Sequence, residues 1–168
     1  MANSQEIIRY KQQLTSLIIN NAAVVKLINE PEITNPEDLI YHNIYDFVRI
    51  PETIDEEKTY ICIKVDVPQV YRSSFLFKQL IISIYIISHQ KQMITEYGGT
   101  RIDLISALLD KMLNGRRDIG KKKLELISNI EDSVGSKHRC RIMKFKAEDI
   151  NNSKCFEPED EILDQLTE

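Results

Sequence analysis

The sequence predicts an α+β fold, in which a small, mixed, mainly antiparallel sheet is packed by an N-terminal helix and a central helix. Three observations predict it: apolar residues at helical spacing near the N-terminus, an alternating pattern from Tyr60 onward, and a β-branched run over 80–87. The 168 residues, of which 42% are hydrophobic, suit one domain with its own core. We expect that domain over residues 1–150, with the element order α-(α)-β-β-α-β-β, and an acidic, flexible extension over 151–168.

The N-terminal helix is predicted over residues 4–28, where apolar side chains recur at largely helical spacing and no Gly or Pro interrupts them. Ser4 offers an N-cap oxygen, and Asn20-Asn21 weakens or breaks the helix before a short stretch resumes over 22–28. Pro31 ends the element, because the residue before a proline avoids the helical region.

The next segment is less regular. A second short helix is expected to begin at Asn35, because Pro36 then takes the first helical position and Glu37 and Asp38 lie at the positive end of the helix dipole. Residues 41–51 mix polar and aromatic side chains, and their pattern leaves a strand and an ordered loop equally open.

Two neighbouring strands are predicted next. Residues 60–67 alternate with a period of two, as in a half-buried strand, and Pro68 is expected to close it. Residues 75–89 include a run that is apolar on both faces, which is typical of a central strand buried on two sides. Residues 70–74 connect the two, so we expect an antiparallel pair.

The central helix has clear signals at both ends. Gly98-Gly99 indicates a turn, and Thr100 can cap a helix that runs to Asn114 with Gly115 just beyond its end. Asp103 follows Thr100 by three residues, an acidic variant of the capping-box position.

Two more strands are predicted over residues 124–130 and 139–147, after a loop over 116–120 and with a turn at Gly135-Ser136 between them. The side chains of the last strand that we expect to face inward are Cys140, Ile142 and Phe145.

The charge of the chain is unevenly placed. The formal net charge is −4, yet residues 157–168 carry six acids and no base. Residues 114–146 carry ten bases against four acids. The chain is therefore a mildly basic domain followed by an acidic extension, and charges of this kind serve contacts rather than the fold.

Several classes of protein are not indicated. The N-terminus has no basic and apolar signal pattern, and the longest apolar stretch, 80–87, is too short to span a bilayer. We therefore expect neither a signal peptide nor a membrane partner. Three cysteines without Cys-x-x-Cys spacing and three histidines suggest reduced thiols, no metal site and no cofactor.

Catalysis is not indicated either, since no nucleophile, P-loop or dinucleotide motif is present. The sharpest enzymatic hypothesis pairs His89 with Asp103 or Glu96 around the Gly98-Gly99 turn. The simpler interpretation, which we favour, is that His89 ends a strand while Asp103 supports a helix cap.

Candidate contact residues fall into three groups, with His89 and Arg101 as two further candidates. The basic loop, residues 116–123, can contact phosphate or merely be solvated, and it lacks aromatic residues for stacking on bases. The aromatic residues between positions 41 and 47 suit a core or a subunit interface. The acidic extension can dock on a basic neighbour, including the basic loop of another subunit. The candidates are Tyr41, Tyr45, His89, Arg101, Arg116, Arg117, Lys121, Lys122, Lys123, Glu159, Asp160 and Glu161.

The element order resembles that of tail-terminator and head–tail joining (neck) proteins of long-tailed bacteriophages. The resemblance is carried by the strand end Ile86-Ile87-Ser88-His89, the loop to Gly98-Gly99, and the helix from Thr100-Arg101-Ile102-Asp103-Leu104-Ile105 to Asp110-Lys111-Met112-Leu113-Asn114-Gly115, followed by two strands. It covers residues 5–150.

The resemblance implies a structural virion protein rather than an enzyme. Similar proteins form six-fold rings that cap the tail tube and join it to the neck, so the implied partners are other copies of the chain, a tail tube protein and neck or connector proteins. The implied location is the neck or tail end of a virion made in a bacterial cytoplasm. Two alternatives stay open: a small nucleic-acid-associated protein that uses the basic loops, and another phage neck or tail-completion component.

Overall fold

The computed structural model describes residues 5–53, 55–70 and 77–150. Its helices are α1 (Gln5–Ile19), α2 (Ala22–Ile28) and α3 (Arg101–Leu113), with short 3₁₀ helices at Pro36–Leu39 and Gln90–Gln92. Its strands are β1 (Ile44–Tyr45), β2 (Thr59–Val70), β3 (Phe77–His89), β4 (Glu125–Val134) and β5 (His138–Ile150). The predicted α+β class and element order are confirmed.

One five-stranded sheet has the strand order β1-β2-β3-β5-β4. Every neighbouring pair is antiparallel except β1 and β2, which are parallel. The long strand β3 lies at the centre, and most of its side chains are buried. The prediction of a central strand, antiparallel to the strand before it, is therefore confirmed.

The helices begin and end where local chemistry indicates. The side chain of Asn21 caps α2 by accepting hydrogen bonds from two backbone N–H groups, and Asn29 ends that helix in the left-handed conformation. The Thr100 hydroxyl accepts a hydrogen bond from the backbone N–H of Asp103 and so caps α3. Gly115 follows the helix end with a φ of +84°. Thr100 and Gly115 are the predicted capping and stop residues, whereas the sequence predicted a break at Asn20-Asn21 and no role for Asn29.

The main core lies between the three helices and one face of the sheet, called here the helix face. Side chains that alternate along β2, β3 and β5 point to it, and α1 and α3 supply the opposing layer. Its fully buried members include Leu14, Ile18, Ile63, Ile82, Ile84, Ile105, Leu109 and Phe145.

A second, smaller cluster covers part of the opposite face, called here the back face. It is built from Tyr45, Tyr60, Cys62, Ile87 and Cys140. The start of β2 is therefore buried on both faces, whereas the alternating pattern predicted a half-buried strand. The difference arises because the segment that contains β1 folds over the back face.

One strand end and one helix type need correction, and the structure decides the segment that the sequence left open. Pro68 does not close β2, because the strand continues to Val70 through a shift in register between Asp66 and Gln69. A bulge tolerates a proline that cannot donate to the ladder. The short helix after Asn35 is a 3₁₀ helix rather than an α-helix. Of residues 41–51, only the two residues of β1 form a strand.

The last two strands also differ in detail. A register shift between Leu126 and Ser128 leaves Ile127 as an extra residue in β4, and such a bulge moves the side chains on either side of it to opposite faces. Cys140 and Ile142 face the back cluster, while Phe145 faces the main core. The three residues that were expected to share one inward face therefore lie on two. Predictions for Ser4, residues 71–76 and residues 151–168 lie outside the described residues.

Candidate interaction surfaces

The basic loop between α3 and β4 is folded onto the end of β5. Two backbone hydrogen bonds close its base: the N–H of Gly115 donates to the Leu124 carbonyl, and the N–H of Leu124 donates to the Arg116 carbonyl. Ile119 is fully buried beneath the loop. The backbone N–H groups of Lys121 and Lys122 both donate to the carbonyl of Glu148. These contacts hold the lysine side chains on an ordered surface.

That loop and β5 line an open cleft of about 480 Å³, called here the basic cleft. Its five basic and three other lining residues are Arg117, Lys121, Lys122, Lys123, Lys146, Glu125, Ala147 and Glu148. Lys146 was not among the residues predicted from the sequence. It lies 23 positions beyond Lys123 and reaches the cleft only because β5 pairs with β4.

The charges of the cleft are only partly neutralised. Lys122 pairs with Glu148, and Lys123 pairs with Glu125 at 3.2 Å. Over the described residues, no acidic partner is found for Arg117, Lys121 or Lys146. The cleft can therefore hold an anionic group by charge attraction.

Arg116 lies beside the cleft and is engaged elsewhere. Its guanidinium pairs with the Asp118 carboxylate and holds the pKa of that carboxyl below its usual range. The side chain of Gln13 in α1 donates to the Asp118 carbonyl at 3.2 Å. Arg116 thus helps to tie the loop to the first helix rather than adding a free charge to the cleft.

An apolar patch, residues 41–50, lies beside β1 at one edge of the sheet. Its outward side chains are Tyr41, Phe47, Val48 and Ile50, and Phe47 and Ile50 are 50% and 69% exposed. Tyr45 anchors the patch, because it is buried and its ring packs edge-on against Phe47 at 5.3 Å between centroids.

Arg49 stabilises the same patch from the inside. Its guanidinium lies over the rings of Tyr45 and Tyr60, at 4.9 and 5.2 Å from the centroids. It also pairs with Glu56 at 3.3 Å. Cation–π contacts of this kind hold the segment against the sheet, so the exposed apolar side chains are presented in a defined geometry.

The opposite edge of the sheet is β4, which pairs on one side only within the described residues. Ile127 and Ile130 are 52% and 60% exposed on it. An edge strand that carries exposed apolar side chains is a template for contact with another chain, while its charged residues and bulge limit indiscriminate pairing.

Three of the candidate contact residues are buried. Tyr45 is described above, and Arg101 donates hydrogen bonds to the carbonyls of Gln92 and Leu27, which joins α3 to α2. His89 packs edge-on against His138 with ring centroids 5.0 Å apart. The contact surfaces proposed below therefore do not include these three residues.

The structure does not bring together the catalytic pair that was weighed above. His89 accepts a hydrogen bond from the backbone N–H of Lys91, and Asp103 forms an ion pair with Arg141 of β5. No hydrogen bond or ion pair links His89 to Asp103 or Glu96 in the part of the chain that the structure describes. Of the expected capping box, the bond from the Asp103 N–H to the Thr100 hydroxyl is present, while the Asp103 carboxylate pairs with Arg141 of the sheet.

The described residues contain no cluster of three or more His, Cys, Asp or Glu side chains that could hold a metal ion. They also contain no helix long and apolar enough to cross a membrane. Cys62 and Cys140 are buried free thiols. The described chain presents three candidate contact surfaces: the basic cleft, the apolar patch and the β4 edge.

Comparisons with known proteins identify a family for the chain and a solved structure of similar fold. The family model YomW matches residues 11–147, so the chain belongs to the YomW family, which is phage-related. A chain in the solved structure entitled "Virion of native gene transfer agent (GTA) particle" is similar in fold, with a TM-score of 0.54 and 15% identity. The match covers 80% of this chain and 90% of that one. No curated protein sequence matches the chain.

Proposed function

We propose that the protein is a structural virion protein, a ring-forming tail terminator or head–tail joining subunit that caps a tail tube and connects it to the neck. Two findings support a virion role: membership of a phage-related family, and a fold shared with a chain of a gene transfer agent virion. Assembly into that position requires contact surfaces and no catalytic site.

The observation that carries the proposal is the placement of two different apolar surfaces at opposite edges of one sheet. The apolar patch lies beside β1, and Ile127 and Ile130 lie on β4. A closed ring is built from heterologous contacts, in which one surface of a subunit meets a different surface of the next. Two such surfaces on opposite edges suit a ring better than a two-fold dimer.

The oligomeric state tests the proposal. Native mass spectrometry and negative-stain images of the full chain should show a closed ring, with six subunits as the expected number. The double variant Phe47→Ser/Ile50→Ser and the variant Ile130→Ser should each shift the population toward monomers, because each weakens one of the two contacting surfaces.

Ile94→Ser is the matched control, because Ile94 is 89% exposed but lies in the loop before α3, away from both edges. It should leave the ring intact. A monomer at all concentrations, or a ring that none of these variants affects, would contradict the proposal. Binding of the ring to isolated tail tubes, rather than to connector complexes, would favour a terminator over a neck component.

A second candidate function is binding of nucleic acid, and the basic cleft favours it. The cleft gathers five basic side chains from two distant parts of the chain. Affinity for phosphates would then fall steeply with salt. Duplex DNA should be retarded at low salt by the full chain, and less so by Lys121→Gln/Lys123→Gln/Lys146→Gln than by the control Lys26→Gln. Absence of retardation at low salt would remove this candidate.

A further inference from the structure

We propose that the basic cleft is the docking site of the chain's own acidic segment, residues 157–168, and that the two interact within one subunit. The sequence suggested that this segment docks on a basic neighbour, including the basic loop of another subunit, and the structure adds reasons for contact within one chain. The inference does not depend on the proposed virion role, since it concerns contacts inside a single chain.

The first support is the place where the described chain ends. Ile150 is the last described residue of β5, and Glu148, two residues before it, lines the cleft. A strand rises about 3.4 Å per residue, so the chain passes the end of β5 within about 7 Å of the cleft wall. The connection to the acidic segment, residues 151–156, therefore begins close to the edge of the proposed site.

The second support is charge. Residues 157–168 carry six acids and no base. The cleft is lined by five basic residues and two acidic ones, and Arg117, Lys121 and Lys146 lack an acidic partner among the described residues. Opposite charge at short range favours the contact, and the open form of the cleft leaves room for an extended peptide.

The third support is the length of the connecting segment, which favours contact within one subunit. Residues 151–156 can span up to about 20 Å when extended, which is long enough to let the acidic segment turn back to its own cleft. A short connection of this kind gives a local concentration on the order of millimolar. A segment from an unassembled copy has no such advantage.

The rigidity of the cleft wall makes the contact specific. Gly120 has a φ of +77°, and a Cβ placed there would approach the Glu148 carbonyl oxygen to 3.0 Å. The absence of a Cβ at Gly120 therefore lets the loop lie directly on β5, where the backbone N–H groups of Lys121 and Lys122 bond to Glu148. The cleft is formed before the acidic segment binds, so little ordering of the loop is required.

Zero-length carbodiimide coupling of the full chain tests the proposal. The reagent activates a carboxylate, which then forms an amide with a lysine amine in direct contact and releases the reagent as its urea. Peptide mass spectrometry should find Lys121, Lys123 or Lys146 joined to the acids of residues 157–168. These products should be lost at high salt, and coupling through the remaining acids should be weaker in the variant Glu159→Gln/Asp160→Asn/Glu161→Gln, because it halves the charge of the segment.

Lys26 and Lys91 are the matched controls, because both are exposed lysines on other parts of the surface. Coupling to them as often as to the cleft lysines would overturn the proposal, as would the absence of coupling to the cleft. Unlabelled and ¹⁵N-labelled chains, mixed and refolded together, identify the subunit of origin. Isotopically mixed products would overturn docking within one subunit, whether or not the protein forms a ring.

Discussion

The ammonium group of Lys78 in β3 is paired with the carboxylate of Glu6 in α1, and the Lys78 side chain is only 1% exposed. Lys78 lies opposite Asp149 of β5, which accepts a hydrogen bond from the Tyr10 hydroxyl of α1. Burial and this hydrogen bond raise the pKa of Tyr10. Four polar groups thus join the N-terminal helix to the end of the sheet.

Loss of Glu6 should destabilise the fold. Glu6→Gln leaves the buried ammonium of Lys78 without its carboxylate, and removing one partner of a buried ion pair costs about 3 kcal/mol. Urea unfolding followed by circular dichroism measures the loss. Lys78→Met should cost less, because it removes the buried charge and keeps an apolar side chain of similar length.

The control for this prediction is Glu125→Gln. Glu125 pairs with Lys123 on the surface, and both side chains are more than half exposed. Exposed pairs are worth at most about 1 kcal/mol. Equal losses for Glu6→Gln and Glu125→Gln would show that the buried pair does not hold α1 in place.

The contribution of the Thr100 cap to the stability of the fold should be measurable by substitution of Thr100. The Thr100 hydroxyl accepts the backbone N–H of Asp103 at 3.3 Å. Thr100→Ala leaves that group without a side-chain partner and should lower the free energy of unfolding by about 1 kcal/mol. Thr100→Ser retains the hydroxyl and should restore most of the loss. An equal loss in both variants would assign the effect to the missing methyl group.

Gly120 should tolerate substitution less well than Gly135. Both have a positive φ, but a Cβ at Gly120 meets the Glu148 carbonyl at 3.0 Å, while a Cβ at Gly135 has no atom within 4 Å. Gly135→Ala should cost about 1 kcal/mol, the strain of the left-handed conformation. Gly120→Ala should cost more, since the loop must also move away from β5. Thermal unfolding of the two variants in the same buffer shows which substitution costs more stability.

Stability should fall in alkaline solution because of two buried thiols. Burial raises the pKa of Cys62 from 9.0 to about 11, and that of Cys140 from 9.0 to about 12. Above pH 9 the unfolded chain loses these protons while the folded chain keeps them. The contribution of the two protonated thiols to the free energy of unfolding is therefore complete below pH 9. It is lost as the pH rises toward 11 for Cys62 and toward 12 for Cys140.

Above pH 9, the free energy of unfolding should fall by up to about 1.4 kcal/mol per pH unit for each thiol. Unfolding free energies of the natural chain and of Cys62→Ala between pH 8 and 10.5 test this. The variant should lose stability less steeply, although its stability at pH 8 is lower. Parallel slopes would mean that Cys62 ionises equally easily in the folded and unfolded chains.

The helices and the central strand could be predicted because their signals are local. Asn21, Thr100 and Gly115 act on the backbone within three or four residues of themselves, and the β-branched run of β3 is apolar wherever it packs. The bulge at Ile127 could not be predicted, since it depends on pairing with β5. The two faces of Cys140 and Phe145 follow from alternation along β5, since the residues are five positions apart, but alternation does not show that both faces of the strand are covered.

The sequence by itself determined the fold class, the order of the elements, the basic loop and the acidic segment, because composition, periodicity and caps act over short distances. Only the tertiary structure decided that Lys146 joins Lys121 at one cleft, that Lys78 is buried against Glu6, and that residues 41–50 cover the back face. Each of these depends on contacts between segments far apart in the chain. Such contacts follow from strand order and packing, which no local pattern of residues specifies.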